Sequence, residues 1–191
     1  MNNFNIYLIG VGGQGIGLLA ETILRAIDYA GFPVKSVDTH GLAQRGGTVV
    51  SQIRMGENAF SPLIPAFDTD LILSLEIHEA YRALMSISKP GSTLVCYEAS
   101  WQPLSVRSGK EKRIDKENLL MAAEKMKIKV LMVKDPKLGD SRMQNMVLLK
   151  KVAGEHLIPG VNQDHYIQAL EDLMKGSALE ANKKILLEAA N

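Results

Sequence analysis

The first residues able to do chemistry are Gly10-Val11-Gly12-Gly13-Gln14-Gly15. Glycines without side chains let a backbone approach a phosphate, and the N–H groups at a helix start favour an anion. The spacing Gly10-x-Gly12-x-x-Gly15 meets the dinucleotide fingerprint, and Asp38 falls where an acid could hold a ribose. Gln14 and two further glycines, Gly13 and Gly17, depart from the usual pattern. Glycines in such a turn also serve tight strand–helix and subunit packing, so the turn alone leaves both roles open. A second cluster is Thr39-His40-Gly41-Leu42-Ala43-Gln44-Arg45-Gly46-Gly47-Thr48. Arg45 could pair with a carboxylate or phosphate, or make an internal salt bridge. So many polar groups and glycines in one loop favour a functional or interface role. The third cluster is Glu76, His78, Glu79 and Arg82. The helix dipole alone favours glutamates in a first turn, and Glu79 and Arg82 are spaced to pair at i, i+3. No second histidine stands four residues from His78, so this is no zinc helix, and His156 and His165 read as surface or capping residues. Without a nucleophile elbow or a recognisable triad, the chain is poorly equipped to catalyse alone.

These clusters must be positioned by strands and helices. Phe4 to Ile9 is a short apolar run that reads as a buried strand. Ile16, Leu19, Ala20, Ile23, Ile27 and Ala30 recur at helical spacing, with Gly31 and Pro33 as the stop. Val34 to Val37 is a second strand, which makes a βαβ unit and a parallel sheet. Residues 39–47 form a loop, placed beside the first glycine turn at the carboxyl ends of the strands. Thr48–Met55, Asp70–Leu75, Thr93–Tyr97 and Ile128–Val133 are further strands. Helices are expected from about Glu76 to Ile87 and from near Asp115, with Pro90-Gly91 as a turn. Beyond residue 140 the chain turns helical: Met146, Val147, Leu148 and Val152 share a helix, Asn162 caps a second running through Leu173, and Ser177 with Glu180 has capping-box spacing for a third. Residues 102–113 read as a solvated loop. The expected class is α/β: a Rossmann-like, mostly parallel sheet flanked by helices, with a helical C-terminal part.

Composition bounds the function. At 191 residues a single domain spanning 1–191 is the natural reading. Lysine plus arginine (22) nearly balances aspartate plus glutamate (21), which offers no electrostatic footprint for nucleic acid or an anionic membrane. The one cysteine, Cys96, reads as a core residue, and no disulfide can form within the chain. One thiol also excludes an iron–sulfur cluster held by this chain alone, since such clusters take about four thiolates. No basic segment precedes an apolar one at the N-terminus, and no apolar run approaches the roughly 20 residues of a membrane span. A cytoplasmic location is expected.

Three segments together resemble the gamma-type module of the 2-oxoacid:ferredoxin oxidoreductases. They are Gly10-Val11-Gly12-Gly13-Gln14-Gly15, Ala43-Gln44-Arg45-Gly46-Gly47-Thr48-Val49-Val50-Ser51, and Asp70-Leu71-Ile72-Leu73-Ser74-Leu75-Glu76 with Glu79-Ala80 following. Thr39-His40-Gly41 and Ser61-Pro62-Leu63-Ile64-Pro65 look most like the beta subunit of indolepyruvate:ferredoxin oxidoreductase. The resemblance is strong over residues 5–100 and looser beyond. It implies decarboxylation of a 2-oxoacid on thiamine diphosphate, electron transfer through 4Fe-4S clusters to ferredoxin, and acyl transfer to coenzyme A as co-substrate. It places the thiamine diphosphate and the clusters on a large partner subunit, with no cofactor held by this chain alone, and it is compatible with a homodimer. On this reading Gly10, Gly12, Gly13, Gln14, Gly15, His40, Gln44, Arg45, Gly46, Gly47 and Glu76 line a ligand site or a subunit interface, and no catalytic role falls on one residue. The alternative is a stand-alone Rossmann-type nucleotide-binding protein.

Overall fold

A computed structural model describes residues 3–40, 47–101, 106, 108–109 and 112–188, with the main chain alone at position 40. In chain order the elements are β1 (Phe4–Val11), α1 (Ile16–Tyr29), β2 (Val34–His40), β3 (Thr48–Met55), β4 (Thr69–Ser74), α2 (Ile77–Ile87), β5 (Ser88–Tyr97), α3 (Lys116–Lys125), β6 (Lys129–Val133), α4 (Gln144–Gly154), α5 (Gln163–Leu173) and α6 (Gly176–Leu187). A short 3-10 turn, Ser141–Met143, leads into α4.

The six strands lie in the order β2-β3-β1-β4-β5-β6. β1, β4, β5 and β6 pair in parallel, and side chains alternate between two covered faces. Ile6, Leu8, Leu71, Leu73, Val95 and Tyr97 pack under α1 and the C-terminal helices α4, α5 and α6. Ile9, Ile72, Leu94 and Cys96 pack under α2 and α3. Burial on both faces explains why these strands read as continuous apolar runs.

The β1-α1-β2 segment differs from the expected parallel neighbour pair. β3 enters between β1 and β2, antiparallel to both. β2 and β1 therefore run the same way without touching, roughly 10 Å apart at the usual strand spacing. The sheet remains mostly parallel, with β3 the one reversed strand. β2 also continues through Thr39 and His40, which were expected in the loop. Pro90-Gly91, expected as a turn, lies inside β5, where Gly91 takes a φ of 88° and the register with β4 shifts. Asn162 caps α5 in a box with His165, as its spacing predicts. Ser177 does not cap α6: the helix starts at Gly176, after Lys175, with no side-chain cap.

Candidate functional site

β1 leads into α1 on one face of the sheet, and its parallel neighbour β4 leads into α2 on the other. Adjacent strands whose connections leave in opposite directions open a crevice between their carboxyl ends, the usual ligand position in this class of sheet. The glycine turn forms one lip of that crevice and Glu76 the other.

Gln14 fills the gap between them. Its side chain is buried at 6% exposure. Oε1 accepts from the Val11 N–H at 2.7 Å, and Nε2 donates to the Leu75 carbonyl at 3.1 Å. Gly10 makes room for it: a Cβ there would stand 2.9 Å from Gln14 Oε1 and 3.0 Å from the Ile16 side chain. The turn is further committed by Gln14 N–H to the Val11 carbonyl and by Gly12 N–H to the Gly47 carbonyl at 2.9 Å. Gly13, at φ 99°, faces open space. Gly15 ends the turn in the left-handed region at φ 83°, and a Cβ there would lie 2.6 Å from Asn145 Nδ2. Asn145, buried at the start of α4, donates to the Gly15 carbonyl at 3.2 Å. The N–H groups of Val11, Gly12 and Gln14 are thus already bonded, and the Gln14 side chain lies between the two strand ends. The fingerprint spacing here serves an internal brace.

Asp38 does not sit beside this turn. It lies on β2 opposite Ser51 of β3, one strand removed from β1, so the expected ribose-binding position is displaced by the inserted strand.

Glu76 is fully buried at the N-cap of α2. Its carboxylate accepts from the Glu79 N–H and, through Oε2, from the Trp101 N–H at 3.4 Å. Its own carbonyl accepts from Ser74 Oγ at 2.8 Å, and Ile77 N–H ties the helix start to the Ala99 carbonyl at 2.9 Å. Burial pushes the Glu76 carboxyl up to about 7 against the pull of its N–H partners, and the nearby Glu79 adds to the rise. A proton-binding group poised near neutrality therefore stands at the crevice.

One turn further along α2, Glu79 is 3% exposed. Thr48 Oγ1 donates to its Oε1 at 3.1 Å, Arg82 Nη1 donates to Thr48 Oγ1 at 3.0 Å, and the same nitrogen lies 3.5 Å from Glu79 Oε2. Burial raises the Glu79 carboxyl, opposed by Arg82 and Thr48. Tyr7 of β1 is raised by burial and by Glu79. The i, i+3 pairing of Glu79 with Arg82 follows from the sequence; the clamp on Thr48 does not. Because Gly47 bonds the glycine turn and Thr48 bonds α2, the end of the 39–47 loop is fixed to both lips of the crevice. Gln44, Arg45, Gly46 and the His40 side chain lie outside the described residues.

The sequence reading missed Asn145, Thr48 and the Leu75 carbonyl. Asn145 belongs to no motif, Thr48 and Leu75 lie in quoted segments that give no hint of these bonds, and each acts through a partner 31 or more positions away.

Residues 5–191 match the family model described as pyruvate ferredoxin/flavodoxin oxidoreductase. The chain belongs to that family. It is 32% identical over 188 residues to the indolepyruvate oxidoreductase subunit IorB of Archaeoglobus fulgidus, covering 95% of this chain and 91% of that one. It is 41% identical over 93 residues to the IorB subunit of Methanothermobacter thermautotrophicus, 49% of this chain and 47% of that one. In fold it is similar to the pyruvate oxidoreductase subunit PORC of Thermotoga maritima, with a TM-score of 0.65 at 15% identity over 98% of this chain and 94% of that one. It also matches part of the 2-oxoglutarate:ferredoxin oxidoreductase of Magnetococcus marinus, with a TM-score of 0.69 at 19% identity, covering 97% of this chain and 30% of that larger one. The family fold thus occurs both as a separate subunit and within a longer chain.

Proposed function

We propose that this chain is the non-redox small subunit of a 2-oxoacid:ferredoxin oxidoreductase, with residues 1–191 forming one gamma-type domain in the cytoplasm and indolepyruvate as the oxoacid. The reaction is an oxidative decarboxylation: the oxoacid loses carbon dioxide, two electrons pass to two ferredoxins, and the acyl group forms a thioester with coenzyme A, whose thiol proton is released. Family membership and the likeness to IorB subunits support the reaction class.

The observation that supports a non-redox role is the braced turn. Gln14 occupies the crevice where a cofactor phosphate would otherwise rest. The donor set points the same way. The one cysteine, Cys96, is buried in the sheet, and burial pushes its thiol well above the usual range. One thiol cannot supply the roughly four thiolates of a 4Fe-4S cluster. The clusters are therefore assigned to the large partner subunit, and the thiamine diphosphate goes with them, as the family resemblance implies. Gly10 to Gly15, Gly47 and Glu76 form one wall of a site completed by that subunit; His40, Gln44, Arg45 and Gly46 are assigned to the same wall from the sequence.

Reconstitution tests this reading. The purified chain and the large subunit are mixed, and indolepyruvate- and coenzyme A-dependent ferredoxin reduction is followed. Activity that appears only with both chains is expected. Full activity of the large subunit alone would refute it. Arg45→Ala then separates site from interface: a raised KM with intact assembly marks the site, and weakened association with unchanged KM marks the interface.

A further inference from the structure

α2 and α3 cover one face of the sheet, and a cavity of about 420 Å³ opens between their outer sides. Its walls are Tyr81 and Met85 from α2, Met121 from α3 and Met126 at the C-cap of α3. Met85 and Met121, both large apolar groups, remain 52% and 53% exposed. The rim is basic: Lys112 and Arg113 on the segment entering α3, and Lys125 in its last turn. No carboxylate lines the cavity among the described residues. Several other cations of this near-neutral chain are ion-paired, such as Lys116 and Lys134 with Glu98, Lys89 with Asp68 and Asp70, and Arg25 with Glu21 and Asp172, while others, such as Lys35, Lys127 and Lys175, have no ion pair among the described residues. Lys112, Arg113 and Lys125 have no such ion pair among the described residues. Asp115, beside them in sequence, is engaged in capping α3 through the Asn118 N–H.

We propose that this groove receives an acidic segment of the large partner subunit, one that carries apolar side chains flanked by carboxylates. This rests on the reading of the chain as a small subunit. Charge complementarity selects the occupant: three uncompensated cations around an apolar floor match apolar anchors with acidic flanks. Thioether side chains suit the floor, because they are flexible and adapt to the anchors that enter. A nucleic acid would call for stacking surfaces and a wider basic field, whereas the floor is mostly methionine and the chain is nearly neutral. A lipid surface would meet apolar groups that protrude, whereas these line a concavity. Position agrees as well. Met85 stands about 9 Å along α2 from Glu79, so a segment seated here brings the partner to the crevice edge.

The test uses the whole chain with its methionine methyls labelled with carbon-13, together with the purified large subunit. Adding that subunit shifts the methyl signals of Met85, Met121 and Met126, while those of the core residues Met55 and Met146 stay in place. Lys112→Glu/Arg113→Glu/Lys125→Glu and, separately, Met121→Gln weaken the complex about tenfold or more, and raising the salt narrows the difference only for the charge variant. All these side chains are exposed or partly so, and unchanged melting curves confirm that the variants fold. If the wild-type complex forms but the three methyls do not move, or both variants bind as tightly as wild type, the groove is not the docking site, and the small-subunit reading stands. If no complex forms with the wild-type chain, both fall. Shifts of the same methyls with a 20-base-pair DNA or with phosphatidylserine vesicles, and not with the large subunit, would also overturn the proposal.

Discussion

Replacing Glu76 with glutamine tests whether burial, rather than function on a partner, sets the behaviour of this carboxyl. An ordinary glutamate titrates near 4.5, and burial at the α2 N-cap pushes Glu76 up to about 7. A carboxyl whose folded value stands above its unfolded value contributes its full stability below about 4.5. That contribution is lost as the pH rises through about 7, because the folded state holds a proton that the unfolded state has released. The difference corresponds to roughly 3 kcal/mol. Glutamine keeps an oxygen for the Glu79 N–H and places an amide toward the Trp101 N–H, a loss of about 1 kcal/mol against a good cap. Glu76→Gln should therefore be slightly less stable than wild type near pH 4 and about 2 kcal/mol more stable near pH 8. Urea unfolding across that range measures both. Burial raises Glu79 as well, so the pH slope of the variant shrinks without vanishing. An unchanged slope, or a variant less stable than wild type near pH 8, would refute the reasoning.

Gln14→Leu should cost about 2–4 kcal/mol in denaturant unfolding, because it strands the Val11 N–H and the Leu75 carbonyl in a buried position. Gly15→Ala should lower thermal stability by about 1–3 kcal/mol, since its φ is 83° and the new methyl would meet Asn145; adding Asn145→Ala should recover the steric part but not the strain. Cys96 should be inert to a disulfide-exchange reagent in the folded chain and react at once in denaturant, because its thiol is buried and pushed upward. Fast labelling of the native protein would contradict its place in the core.

Much of the frame is legible from local pattern. The run Phe4–Ile9, the glycine turn and the helical spacing of Ile16 to Ala30 each carry their own signal, as does the Asn162 cap of α5. Strand order is not local. Nothing in Thr48–Met55 announces that it will divide β1 from β2, and Asp38 is displaced from the turn for that reason alone. The chemistry of the glycine turn fails in the same way. Gln14 looks like a departure from a phosphate-binding pattern, but its purpose depends on the Leu75 carbonyl, 61 positions onward. Ser177 shows the limit of motif spacing: Glu180 stands at the right distance, yet α6 begins one residue earlier and leaves the hydroxyl inside the helix.

The place of β1 in the sheet also bears on how the chain matures. Both of its neighbours follow it in the chain, at residues 48–55 and 69–74. Until they emerge, β1 has two open edges, and the turn that follows it lacks both the Gly47 carbonyl and the Leu75 carbonyl. During synthesis the crevice is therefore assembled only after the chain has passed Leu75 and Glu76, and β1 waits as an adhesive edge in the meantime. β1 is thus held on both edges only by strands made after it.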